Sequence, residues 1–258
     1  MSSALRRVAT AAQPMIGIAA LIAAWQAASV IAANPTLAPP LGAIARQIAA
    51  MASTDLLNDV VASLVHLLLG YGCGAILGLV LALLAARSEW FAAILDPYVE
   101  FLRPISAIAW IPIAILLFGV GRGVPVFLIF YASLFPILVS TLDGVRSVDR
   151  GLINAGRALG ASRRLVVTNI ILPAALPSIL SGARLSLGVA WVAMVAGELV
   201  GADAGLGWRI MWYQEFFSMD GVMATIVVIG AVGWLLDALL RALQRRLLAW
   251  SPTTGARG

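Results

Sequence analysis

Hydrophobic residues run along this chain in long uninterrupted stretches, with polar residues gathered between them. Six stretches are long enough to matter: 14–33, 60–86, 97–119, 124–142, 177–200 and 219–240. A helix needs about 20 consecutive apolar residues to cross the hydrocarbon core of a bilayer. The pattern therefore predicts an all-α integral membrane protein with about six transmembrane helices.

Composition supports this prediction. The chain is 62% hydrophobic and only 11% charged, whereas about 25% of the residues in an ordinary soluble domain are charged. A soluble fold could not bury so much apolar surface. The net charge of +5 is ordinary for a membrane protein and gives no indication of nucleic-acid binding.

Two stretches allow a second interpretation. The N-terminal run follows two arginines as in a signal peptide, but it is longer than the usual 7–15 apolar residues, so we expect a retained first helix. Segment 165–183 is uncharged and nearly long enough to span, yet it contains Pro173 and Pro177. We predict a surface segment there, with Pro173 ending its helix, because a seventh span would place the C-terminal arginines outside.

Arginine placement predicts the orientation. With six spans and the N-terminus inside, the outer loops hold only Arg46, Arg122 and Arg209. The cytoplasmic segments hold Arg6, Arg7, Arg87, Arg146, Arg150, Arg157, Arg163, Arg164, Arg241, Arg245, Arg246 and Arg257. We therefore expect a multi-pass protein of the bacterial inner (plasma) membrane with both termini in the cytoplasm.

The chain divides into three predicted parts. Residues 1–55 form a first helix and an outer loop, 56–246 a transmembrane domain, and 247–258 a cytoplasmic tail. The cytoplasmic loop between spans four and five, about 147–173, is long for a helix connection. Glycines 70, 72, 74 and 78 in the second span are typical of close helix packing and, with the chain's size, favour pairing with a second copy.

The sequence of the long loop predicts two short helices joined by a bend. Ala155, Ala158 and Leu159 share one face, and Gly160 permits a sharp turn and close backbone approach. Small residues among arginines could fill a groove on a soluble partner. The same segment could instead rest on anionic headgroups as an amphipathic helix, and both interpretations stay open on these residues.

At this point the loop resembles a known family motif. Asn154-Ala155-Gly156, then Gly160, then Ile171-Leu172-Pro173 match the spacing of the EAA loop of permease subunits of type I ABC importers. Asn154 stands where the family has glutamate, which removes a charge, and Gly156 stands where it has alanine, which weakens helix propensity.

Three further stretches resemble the nitrate, sulfonate and taurine branch of that family. They are "FLRPISAIAWIPIAILLFGVG" (101–121), "FLIFYASLFPILVSTLDGVR" (127–146) and "GARLSLGVAWVAMVAGELVGADAGLGW" (182–208). Together with the loop, they extend the resemblance over roughly residues 55–245. The resemblance implies a transmembrane permease subunit of an ATP-driven importer, with a substrate that is a small anion such as a sulfonate, taurine or nitrate. Related permeases carry neutral or cationic heterocycles, and a substrate of that kind is the alternative.

The resemblance also implies partners. Two permease chains, here a homodimer, would form the path, an external solute-binding protein would deliver the solute, and two cytoplasmic ATPases would bind ATP and Mg and each receive one loop. The coupling residues it implies are Asn154, Ala155, Gly156, Arg157, Ala158, Leu159, Gly160, Ala161 and Arg163. The sequence has no G-x-x-x-x-G-K-[ST] phosphate loop and no lysine, so we expect a non-enzymatic chain without a cofactor of its own.

Candidates for the translocation path are Arg103, Trp110, Arg184 and Trp191. Arg103 could instead neutralise Glu100 on the same helical face. His66, the only histidine, makes no metal site alone and is expected to pack or hydrogen-bond. Glu198 would either meet the binding protein or cap the adjacent glycine-rich turn, and no catalytic triad is visible.

The main alternative is a secondary transporter or channel subunit driven by an ion gradient, and a membrane assembly factor is a third possibility. A gradient-driven transporter would place ionisable relays at mid-membrane. The carboxylates of the predicted spans fall near the span ends: Asp96, Glu100, Asp143, Glu198 and Asp237. No inverted repeat is visible either, so the importer interpretation is favoured.

Overall fold

The computed structural model describes residues 3–32, 34 and 37–250, without the side chains of 3–15 and 163. The described part is helical and contains no strand. Its α-helices are α1 (Ser3–Ala32), α2 (Leu41–Ala52), α3 (Leu56–Arg87), α4 (Glu89–Leu102), α5 (Ile111–Phe118), α6 (Gly123–Arg146), α7 (Arg150–Ala158), α8 (Arg163–Val166), α9 (Leu172–Gly201), α10 (Leu206–Glu215) and α11 (Met219–Leu247). A 3₁₀ turn (Ala107–Trp110) precedes α5, and a π turn (Val167–Ile171) joins α8 to α9.

The all-α membrane fold is confirmed. Within the described residues, four helices are long and apolar enough to cross a bilayer: Leu56–Arg87, Gly123–Arg146, Arg164–Gly201 and Met219–Leu247. The pair α4 and Ala107–Phe118 would make a fifth span if taken together. The apolar part of α1 that the structure describes, Ile16–Ala32, is shorter. The count of six spans therefore stays a prediction.

The predicted third span, 97–119, is not one straight helix. α4 ends at Leu102, and the chain bends by 86° before the helical segment Ala107–Phe118. Pro104 lies in the break and has no backbone N–H to continue the helical hydrogen bonds. The break places a non-helical stretch, 103–106, inside an otherwise apolar segment.

The prediction that Pro173 ends its helix is wrong. α8, the π turn and α9 follow one another without interruption, and together they count as one apolar segment, Arg164–Gly201. The π turn lies immediately before Pro173, at the second position of α9. The π turn shifts the hydrogen-bond register just before Pro173, and Pro173 occupies the first turn of α9, where its missing N–H is tolerated.

The described structure falls into two compact units, one of residues 1–57 and 210–228, the other of 58–209 and 229–258. The first unit packs around Ile44, Met51, Tyr213 and Ala224. Gln47 donates a hydrogen bond to the Tyr213 hydroxyl at 3.0 Å, which fixes α2 against α10.

In the second unit, α3 packs closely against α6. A Cβ on Gly74 would come within 2.7 Å of the Phe130 carbonyl oxygen, and one on Gly78 within 2.7 Å of the Leu134 carbonyl oxygen. Small residues let membrane helices approach this closely, so close packing is confirmed for these glycines and for Gly70. Gly72 has nothing within 4 Å. The glycine stripe therefore serves contacts within one chain and gives no support to pairing between two chains.

Candidate functional site

The loop between α6 and α9 contains a short helix with defined ends. The Asp149 carboxylate accepts a hydrogen bond from the Gly151 backbone N–H at 2.7 Å, capping the start of α7. At its end, the Gly160 N–H bonds to the Arg157 carbonyl at 3.0 Å and the Ala161 N–H to the Gly156 carbonyl at 3.1 Å. These two bonds form a Schellman motif.

Gly160 lies in the turn after α7 and adopts a left-handed backbone conformation. Its φ of 81° is in the left-handed region, which costs other residues about 1–2 kcal/mol. A Cβ added to Gly160 would have no other atom of the chain's described residues within 4 Å. The requirement for glycine within this chain is therefore conformational rather than steric.

The departure of Gly156 from the family alanine has a local explanation. A Cβ on Gly156 would come within 2.6 Å of Ile170 Cδ1, so the glycine makes room for Ile170 of the π turn against α7. The loop also carries exposed apolar side chains. Leu159 is 89% exposed, Leu152 is 55% exposed and Leu165 is 50% exposed.

The structure does not bring the four candidate path residues together. Arg103 lines a cavity between α6 and α9, and Trp110 packs near it against Tyr131 with ring centroids 5.4 Å apart. Arg184 and Trp191 instead lie on the face of α9 toward α11. Arg184 donates to Asp237 at 2.7 Å, and the Trp191 ring fills the space beside Gly233. Among the described residues, no ion pair joins Arg103 to Glu100.

A buried polar cluster connects α3, α9 and α10, and sequence reasoning did not assemble it. Glu198 is fully buried. One carboxylate oxygen lies 2.8 Å from His66 Nδ1, and the other accepts hydrogen bonds from Ser63 Oγ and the Gly207 N–H, each at 2.9 Å. The Ser63 hydroxyl also accepts from the Leu206 N–H at 2.8 Å.

The glycines of the turn before α10 make this cluster possible. Gly205 has a φ of 119°, and a Cβ there would come within 2.5 Å of the Glu198 carboxylate. Glu198 therefore caps the glycine-rich turn, which agrees with one of the two roles expected for it. A second pair, Arg209 donating to Asp59, is also largely buried one turn along α3 from Ser63.

The sequence did contain a signal for this cluster. Asp59, Ser63 and His66 follow at i, i+4 and i+7 on one face of an otherwise apolar helix. Their partner Glu198 lies 132 residues from His66, a separation that periodicity along one helix cannot bridge.

Comparison with known proteins places this helical membrane fold in one class, the membrane subunits of binding-protein-dependent importers. Residues 74–249 match the family model of the binding-protein-dependent transport system inner membrane component. The chain belongs to this family and is the permease subunit of an ABC importer, as the resemblance implied.

Relatives and a solved structure agree with this assignment. The chain is 36% identical over 232 residues to the taurine transport system permease protein of Escherichia coli, covering 88% of this chain and 84% of that one. It is 37% identical over 191 residues to the bicarbonate transport system permease protein of Synechococcus elongatus, covering 73% and 68%. An inward-facing methionine ABC transporter has the same fold, with a TM-score of 0.64, 21% identity, and coverage of 74% and 95%.

Proposed function

We propose that this permease forms the translocation path for a small oxyanion that an external solute-binding protein delivers. The observation that carries the proposal is the similarity to permeases named for taurine and bicarbonate, which share an anionic group with several oxygen atoms. ATP hydrolysis takes place on two separate cytoplasmic ATPases that bind ATP and Mg, and the permease itself uses no cofactor.

We propose that loop 147–173 couples the permease to the ATPase. The support is its geometry: a short capped helix ends in a left-handed glycine, and an almost fully exposed Leu159 lies next to it. An exposed leucine on a rigid turn suits insertion into an apolar groove of a soluble partner. The residues assigned to this contact are Asn154, Ala155, Gly156, Arg157, Ala158, Leu159, Gly160, Ala161 and Arg163.

Purification under mild detergent tests the assembly. We expect two copies of this chain and two of the ATPase in one complex, because the importer family implies two permease halves. Native mass spectrometry measures the stoichiometry. One copy beside a different permease would contradict the homodimer alone, whereas the absence of any ATPase would favour a gradient-driven transporter and contradict the importer proposal.

Thiol labelling in intact cells tests the orientation. In a Cys73→Ala background, Ser3→Cys, Ser162→Cys and Thr254→Cys should resist a membrane-impermeant maleimide, because both termini and the loop are expected to face the cytoplasm. Ser53→Cys, at the end of α2 in the predicted outer loop, is the positive control and should react. External labelling at position 162 would contradict this topology.

A further inference from the structure

The helix break after α4 opens onto a cavity that has an exposed arginine, Arg103, among its lining residues. The cavity has a volume of about 240 Å³ and is lined by the break, by α6 from Tyr131 to Pro136, and by α9 around Val192. Arg103 is one of the residues that line it. Three other arginines that contact the helices form ion pairs: Arg184 and Arg241 with Asp237, and Arg209 with Asp59.

Arg103 has no acidic partner among the described residues. Its position along the bundle is fixed by a contact of its neighbour, because the Tyr131 hydroxyl donates a hydrogen bond to the Leu102 carbonyl at 2.6 Å. Tyr131 is eight residues into α6, or about 12 Å from the start of that helix at 1.5 Å per residue. Arg103 is exposed in the isolated chain, and an arginine within an apolar segment of a membrane protein is costly unless something neutralises it.

We infer that this cavity is a binding site for the transported oxyanion and that the Arg103 guanidinium contacts the anion directly. This inference rests on the proposed importer function and adds a binding site and a narrower substrate class within the oxyanions. A guanidinium offers a planar fork of N–H donors that matches the oxygens of a sulfonate or carboxylate. The Ser106 hydroxyl, also at the cavity surface, supplies a further donor.

The walls of the cavity narrow the substrate class further. They are mostly apolar, formed by side chains such as Ile105, Phe135, Val189 and Val192. No aspartate or glutamate is among the described residues that line the cavity. An ammonium group would therefore lose its hydration without gaining a counter-charge. The site fits a monoanion with a short apolar tail, such as an alkanesulfonate, better than the zwitterion taurine.

Direct binding to the purified permease–ATPase complex in nanodiscs, without binding protein, tests the site. The probes are radiolabelled ethanesulfonate and taurine, measured by equilibrium dialysis. We expect ethanesulfonate to bind about tenfold or more tightly than taurine. Arg103→Gln should weaken ethanesulfonate binding by about ten- to a hundredfold, the range for a lost hydrogen bond to a charged group, and Arg103→Lys should restore it in part.

Arg122→Gln is the matched control, because it removes an exposed arginine at the start of α6 that does not line the cavity. Its ethanesulfonate binding should equal that of the wild type. ATP hydrolysis stimulated by the binding protein serves as a separate readout of folding and assembly. The proposed site would be overturned if Arg103→Gln bound ethanesulfonate as well as the wild type, or if taurine bound as tightly as ethanesulfonate. A wild-type complex that did not retain the ATPase would instead overturn the importer function.

Discussion

A Gly160→Val permease is expected to insert into the membrane normally but to hold its ATPase about a hundredfold more weakly. Valine is β-branched and fits poorly at a φ of 81°, so the turn after α7 would strain or change shape. The turn also presents Leu159, 89% exposed, to the proposed groove. A hundredfold loss of affinity for the ATPase corresponds to about 2.7 kcal/mol of binding free energy. The strained turn and the poorer fit of the loop in the groove together account for a loss of that size.

Two further variants separate the causes. Gly160→Asn adds a side chain that tolerates the left-handed region, so it should retain much more of the binding than valine if backbone conformation decides. Gly230→Val is the general control, since Gly230 has an ordinary φ and open space around its Cα, and it should bind the ATPase normally. ATPase retention on a column and binding-protein-stimulated hydrolysis are the measurements.

Normal transport by Gly160→Val, with its ATPase fully bound, would show that the loop is not the coupling element. The interpretation of the loop as a helix resting on lipid headgroups would then be the better one.

The second large effect is expected from Glu198→Ala, which should destabilise the helical bundle by about 3–5 kcal/mol. The change removes the carboxylate that accepts from the Ser63 hydroxyl and the Gly207 N–H and contacts the His66 ring, in a fully buried site. Buried polar groups that lose their partner retain the full penalty of desolvation. Thermal unfolding of the purified complex, followed by size-exclusion fluorescence, measures the loss.

Glu198→Gln should lose less, because its amide oxygen can still accept from Ser63 and Gly207. Its amide nitrogen can donate to His66 Nδ1 when the ring proton is on Nε2. Thr141→Val is the matched control: the buried Thr141 hydroxyl has no hydrogen-bond partner in the described structure, so its removal should be nearly neutral. Equal melting temperatures for Glu198→Ala and the wild type would contradict the role given to this cluster.

Sequence patterns predicted the long helices of this protein well, because twenty apolar residues in a row have few alternatives to a membrane helix. They predicted α3 and α6 close to their observed bounds. Prolines were the main source of error. Pro104 lies in a real break, whereas Pro173 follows a π turn within a continuous helical segment, and the local sequence does not distinguish the two cases.

The candidate site was predicted unevenly for a related reason. The bend at Gly160 depends on neighbouring residues and could be predicted from a local motif. Arg103 and Arg184 are separated because each lies on a different side of α9. The pairing of His66 with Glu198 likewise depends on which side of α9 faces α3. Such contacts between distant segments are set by tertiary packing and leave only weak traces in one sequence.

The unbroken helical segment Arg164–Gly201 has a mechanical consequence. Its 38 residues make a rod about 57 Å long at the α-helical rise. One end adjoins the bend at Gly160, and the other end is held by the Glu198 contacts to Ser63 and His66. A rigid rod of this length that tilted by about 5° about its clamped end would move its free end by about 5 Å, roughly the rise of one helical turn.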